Sequence, residues 1–119
     1  MNNASYNKLI AFDGDLIDSA LPKIMAIINV TPDSFYADSQ AATQEKILSK
    51  VDYAIQNGAS ILDIGGYSTR SGADVVSEAK EIDRIRFALK IIREKYPDFP
   101  ISIDTFRGEV ARVAVKEFN

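Results

Sequence analysis

Short, uninterrupted apolar runs alternate along this chain with longer stretches in which apolar residues recur every three or four positions. The first run, residues 24–28, reads Ile-Met-Ala-Ile-Ile and stops at Asn29, where Thr31-Pro32-Asp33 signals a turn. It predicts a strand buried on both faces. Over residues 43–57, Ile47, Val51, Ala54 and Ile55 fall at helical spacing, with Thr43 to cap the start and Gly58 to supply a left-handed stop. Residues 61–64, Ile-Leu-Asp-Ile, predict a second buried strand, ended by Gly65-Gly66 and a polar loop running to residue 76. A second helix is expected from Ser77. Its stripe is Ile82, Ile85, Leu89 and Ile92, Glu78 and Glu81 suit its positive N-terminal end, and Pro97 lies past its close. Residues 101–104 predict a third strand, and residues 107–118 a third helix with Val110, Val113, Ala114 and Phe118 on one side. Ahead of all these, residues 8–12 and Leu16-Ile17 flank Asp13-Gly14-Asp15, the pattern of a small hairpin.

Buried strands alternating with amphipathic helices define an α/β chain with a parallel sheet and right-handed crossovers. Two architectures satisfy the pattern: part of a (β/α)₈ barrel, or a small doubly wound sheet. Periodicity alone does not choose between them. No internal repeat beyond the βα alternation, no low-complexity tract and no linker divides residues 1–119, so one domain is expected.

Composition narrows the chemistry. With 46% hydrophobic and 26% charged residues the chain is of the ordered globular kind. A formal net charge of −3 argues against a nucleic-acid binder, which needs clustered Lys and Arg. The chain has no Cys and no His, which removes disulfides, thiolate or imidazole metal ligands, and any imidazole-dependent triad from its repertoire. Chemistry is left to Asp, Asn, Ser, Thr, Lys, Arg and backbone. No apolar run approaches the roughly 20 residues that span a bilayer. Residues 1–7 are polar with no signal-like region after them, so the cytoplasm is the expected compartment.

Each strand ends in a polar side chain or runs into a polar loop: Asn29, Asp63 and Asp104 in turn. Parallel strands bring these ends to one side of the molecule, the side on which α/β proteins bind ligands. A lone Asp or Asn after a strand commonly serves only as a turn former or helix cap, whereas three together point toward a site.

Three segments carry a family resemblance: Ile28-Asn29-Val30-Thr31-Pro32-Asp33-Ser34-Phe35, then Gly65-Gly66-Tyr67-Ser68-Thr69-Arg70-Ser71-Gly72, then Ile101-Ser102-Ile103-Asp104-Thr105. In order and spacing they resemble the signatures of dihydropteroate synthases. That resemblance implies the first three βα units of an incomplete (β/α)₈ TIM barrel, preceded by a short N-terminal hairpin. It implies a transferase of folate biosynthesis, the target of sulfonamides. The reaction condenses 6-hydroxymethyl-7,8-dihydropterin pyrophosphate with p-aminobenzoate, in the presence of Mg²⁺, to give 7,8-dihydropteroate and pyrophosphate.

Roles follow from the resemblance residue by residue. Asn29 matches the metal and diphosphate contact, and an amide oxygen suits Mg²⁺. Asp104 matches the carboxylate that holds the pterin; it also faces the charge that develops as pyrophosphate leaves. Thr69 and Arg70 match the loop that touches the substrates' reacting ends, where hydroxyl and guanidinium donors suit pyrophosphate or carboxylate oxygens. Ser71 in the same loop and Phe35 in the first loop match positions beside p-aminobenzoate. Asp33 and Asp63 are expected to support these contacts from behind, Asp33 through its own turn and Asp63 by tying neighbouring loops together. Catalysis is thus assigned to Asp104, Arg70 and Asn29, and substrate binding to Thr69, Asp104, Arg70, Phe35 and Ser71.

The chain also departs from the family's pattern. Tyr67 stands where Glu is common and Ser71 where Pro is common, while Tyr36-Ala37-Asp38-Ser39 displaces an acidic residue of the first loop by one position. Further family motifs, including a late Arg-x-His, fall outside these residues. The expectation is therefore a chain that is inactive alone and self-associates through its open sheet. Two rival readings stand beside it: a pterin-binding methyltransferase domain, against which the Pro-Asp-Ser-Phe and Ser-Thr-Arg loops argue, and a non-catalytic self-associating fragment.

Overall fold

The structure is a computed structural model that describes residues 9–12, 15–18, 21–30, 39–67 and 75–118. In chain order the elements are β1 (Leu9–Phe12), β2 (Asp15–Asp18), β3 (Ile24–Asn29), α1 (Gln40–Gln56), β4 (Ala59–Gly65), α2 (Glu78–Lys95), β5 (Ile101–Asp104) and α3 (Gly108–Phe118). The first two strands form the expected antiparallel hairpin, with Leu9 opposite Asp18 and Phe12 opposite Asp15. Strands β3, β4 and β5 form a separate parallel sheet in that order, so each strand pairs with the next one in sequence, as the βα alternation predicts.

Period-two alternation sorts this sheet into two unlike faces. On one face Ile28, Ile64 and Ile103 lie level, and beneath them Ala26, Leu62 and Ile101. These residues belong to a single core with Ile47 and Val51 of α1, Ile85, Leu89 and Ile92 of α2, and Val110 and Ala114 of α3. Burying an aliphatic side chain of this size is worth about 1.5–3 kcal/mol, so this layer is the main source of cohesion. On the other face Asn29, Gly65 and Asp104 lie level, and beneath them Ile27, Asp63 and Ser102. Here Met25 and Ile27 remain 49% and 68% exposed, so β3, expected to be buried on both faces, is covered by helices on one and left open on the other.

The helices follow the sequence pattern with one displaced start. Helix α1 begins at Gln40, capped by Ser39, whose Oγ accepts the Ala42 N–H at 3.3 Å. The predicted cap, Thr43, lies inside the first turn, buried, and its hydroxyl donates to the Ser39 carbonyl at 3.1 Å. Ser and Thr cap comparably well, and the apolar stripe begins only at Ile47, so nothing in the pattern separates the two. At the other end Gly58 adopts a φ of 99° and stops the helix as expected. Helix α2 begins after Ser77, whose Oγ accepts the Lys80 N–H at 3.3 Å.

Polar links pin the helices outside the core. Arg93 donates to the Phe118 carbonyl at 3.0 Å and the Phe99 carbonyl at 2.7 Å, binding the end of α3 to the loop after α2. Arg86 of α2 holds Glu117 of α3 in a two-pronged ion pair, both side chains partly exposed.

Asp52 of α1 accepts hydrogen bonds from Lys95 at 2.7 Å and from the Tyr96 hydroxyl at 2.5 Å. These two donors hold its carboxyl below the usual carboxylate range. A depressed folded-state value stabilises the fold above the unfolded value, and the gain disappears as pH falls through the folded one. Asp52→Asn is therefore expected to cost a small amount of stability at neutral pH, and the gap to the unmodified chain should close in acid. Urea melts of both chains from pH 7 downward measure it, and a gap that stays constant with pH would contradict it.

Among the described residues no helix is long and apolar enough to cross a membrane.

Candidate functional site

The carboxyl ends of β3, β4 and β5 finish on one row. Asn29 is level with Gly65, and Gly65 with Asp104; all three belong to the uncovered face. The ladder does not stop there: the Val30 N–H donates to the Gly65 carbonyl at 2.7 Å, and Val30 is fully buried. Asn29 is thus held from both sides in sequence while its own side chain stays exposed.

Gly65 leaves space in the middle of the row. A Cβ at this position would lie 3.5 Å from Asn29 Oδ1 and 3.6 Å from Asp104 Cβ. The two polar side chains therefore border one gap, which glycine leaves open. One layer down, the Ser102 hydroxyl donates to Asp63 Oδ1 at 2.8 Å. Asp63 lies two residues inside β4 and ties strand to strand, where the sequence suggested a link between loops.

Asp104 was also a candidate cap for the following helix. The turn is closed instead by Thr105, whose Oγ1 accepts the Arg107 N–H at 3.1 Å, and α3 begins only at Gly108. Asp104 stays exposed at the end of β5.

Behind the row lies a cluster that the sequence pattern did not bring out. Glu81, in the first turn of α2, is fully buried. One of its carboxylate oxygens accepts from the Thr105 hydroxyl at 2.7 Å and the other from Arg107 Nη1 at 2.7 Å. Arg107 Nη2 also donates to the Val76 carbonyl at 2.8 Å, and Arg84 Nη1 to the Gly66 carbonyl at 3.1 Å. The Tyr67 and Phe106 rings meet edge to face at 5.2 Å, with the Arg107 guanidinium 4.7 Å from the Phe106 centroid. One signal in the sequence pointed here: Glu81 stands four residues before Ile85, on the apolar stripe rather than beside it. Its suitability for the helix dipole masked that position.

Gly66 sits directly on this cluster. A Cβ there would lie 3.3 Å from both Cγ and the carbonyl oxygen of Glu81, and 3.4 Å from Ile85 Cγ1. The helix backbone has little room to give. Gly66→Ala is expected to destabilise the fold by about 1–3 kcal/mol, the range for overpacking a close approach. Thermal unfolding measures it, and an unchanged midpoint would mean that the loop shifts freely.

The sequence-predicted residues thus divide. Asn29 and Asp104 share the row, and Asp63 supports it from the layer below. Asp33, Phe35, Asp38, Thr69, Arg70 and Ser71 lie outside the described residues. Among the described residues no group of three or more carboxylates gathers as a metal site. An exposed amide oxygen at Asn29 suits a hard cation whose remaining ligands come from phosphate and water.

Comparison with known proteins gives a consistent picture. Residues 25–119 match the family described as pterin binding enzyme. The chain is 50% identical over 93 residues to dihydropteroate synthase of Streptococcus pyogenes, covering 78% of this chain and 35% of that protein. Among solved structures it is similar to 7,8-dihydropteroate synthase from Vibrio fischeri, with a TM-score of 0.74 and 33% identity, over 92% of this chain and 37% of that one. It is also similar to the Burkholderia cenocepacia dihydropteroate synthase complexed with 7,8-dihydropteroate, with a TM-score of 0.67 and 30% identity, over 87% of this chain and 33% of that one. The chain spans about a third of the length of these relatives.

Proposed function

The chain belongs to the pterin binding enzyme family, and from that premise we propose that it is the N-terminal portion of a dihydropteroate synthase. On this reading residues 1–119 supply the hairpin and the first three βα units of a (β/α)₈ barrel domain, and the uncovered sheet face is the barrel's interior. The observation that carries it is the level row of Asn29, Gly65 and Asp104 at the strands' carboxyl ends, the end at which such barrels bind substrate.

The reaction joins the amine nitrogen of p-aminobenzoate to the methylene carbon of the pterin. The carbon–oxygen bond to pyrophosphate breaks, the leaving group departs with the electron pair, and the amine gives up a proton. Asp104 accepts N–H donors of the pterin ring and fixes its orientation, and its charge offsets the positive charge that grows on the pterin as pyrophosphate leaves. Gly65 leaves the room a flat ring needs beside that carboxylate. Thr69 and Arg70 donate to pyrophosphate or carboxylate oxygens; Phe35 and Ser71 lie beside p-aminobenzoate. Asn29 would hold Mg²⁺, which neutralises diphosphate charge when bound. Asp33 and Asp63 hold the contacting residues in place. The binding of 7,8-dihydropteroate by the Burkholderia cenocepacia relative supports this substrate class.

Among the described residues β3 and β5 each pair on one side only, and Met25 and Ile27 stay in water. In isolation the chain is therefore expected to be inactive and to self-associate through its open sheet. Coupled pyrophosphate release with both substrates tests the activity, in the complete polypeptide and in this chain, and light scattering tests the assembly. A complete polypeptide that releases no pyrophosphate would reject the function; a folded, monodisperse monomer of this chain at micromolar concentration would reject the self-association.

A further inference from the structure

The helix dipole does not account for Glu81. A carboxylate in the first turn interacts with the dipole just as well from the solvated side of the helix, yet Glu81 is fully buried and both of its oxygens are engaged. Its partners, Thr105 and Arg107, are the first and third residues after Asp104. Thr105 uses its one hydroxyl twice, donating to Glu81 and accepting the Arg107 N–H, so the turn that leaves Asp104 is fixed to α2.

The same cluster grips the loop after β4 at both of its ends. Arg84 holds the Gly66 carbonyl where that loop leaves the strand, and Arg107 holds the Val76 carbonyl just before the Ser77 cap of α2. Tyr67 packs on Phe106 between them. Two site loops that are far apart in sequence thus converge on one buried carboxylate.

We propose that Glu81 is a positioning residue for the site: through Thr105 and Arg107 it locks the loop after β5 to the loop after β4 and so sets the direction of the Asp104 carboxylate. The ligand-binding part of this inference rests on the function proposed above. The coupling of the two loops does not.

Thr105→Val keeps the shape of the side chain and removes the hydroxyl; Thr105→Ser keeps the hydroxyl. In the complete polypeptide, calorimetry with a pterin ligand is expected to show about a tenfold rise in Kd for Thr105→Val, the scale for a loosened turn that binding must order again, and recovery in Thr105→Ser. A purely structural role would lower the melting temperature and leave the Kd of the folded protein where it was. Amide exchange gives a second, ligand-free readout: Thr105→Val should speed exchange at residues 66–67 and 75–77 together with 105–107. If the unmodified polypeptide binds no pterin, the proposed function fails and exchange alone judges the clamp. An unchanged Kd in a pterin-binding protein, or faster exchange confined to residues 105–107, overturns the inference.

Discussion

Replacing Asp104 with Asn in the complete polypeptide is expected to weaken pterin binding by about 2–3 kcal/mol, the scale for removing a charge-assisted contact and leaving donors poorly paired. The substitution is nearly isosteric. It removes one negative charge and turns half of an acceptor pair into a donor, which then faces the N–H groups of the ring. Stability should barely change, because Asp104 is exposed and the turn beside it is closed by Thr105. Calorimetry with a pterin ligand, combined with a thermal melt, separates the two effects. An unchanged affinity in a well-folded variant would remove Asp104 from the site.

Glu81→Ala is expected to add a large loss of stability, about 3–5 kcal/mol, as for one partner removed from a buried ion pair, to any weakening of pterin binding in the protein that still folds. The Arg107 side chain is only 17% exposed, so water reaches it poorly once its partner is gone. Thr105 would lose its acceptor at the same time. Glu81→Gln should lose less, since an amide oxygen can still accept one of the two bonds. Urea unfolding of the three chains measures the series. A loss below about 1 kcal/mol for Glu81→Ala would mean that water enters and replaces the carboxylate.

These two residues also show what the sequence could reveal. The place of Asp104 was legible because it ends a short, half-buried apolar strand inside a recognisable signature, and parallel pairing then carries it to the same end as Asn29. The strands and helices were legible for a related reason: buried runs such as Ile61-Leu62 and the stripe Ile85, Leu89, Ile92 are patterns of local burial. Glu81 was read as a charge at a helix start, which it is, but the partners that bury it lie 24 and 26 residues further on. No local pattern contains that distance. Gly65 was similarly read as the end of a strand. Its value as a gap between Asn29 and Asp104 follows from strand register, which sequence leaves unspecified until pairing is known. The start of α1 was displaced from Thr43 to Ser39 because two equivalent caps stood four residues apart ahead of the stripe.

The order β3, β4, β5 in the sheet has a kinetic consequence. Strands β4 and β5 each pair with the strand synthesised just before them, with a single helix in the intervening segment, so neither of these two pairings waits for residues further along the polypeptide. Assembly of this kind can keep pace with translation, one βα unit docking on the last as the ribosome extends the chain. The helix-facing layer of Ile28, Ile64 and Ile103 would close early under such a schedule, while Met25 and Ile27 would stay in water on the other side. In the living cell that interval is when the nascent chain would be most open to chaperones and to mispairing at the free edge of β5.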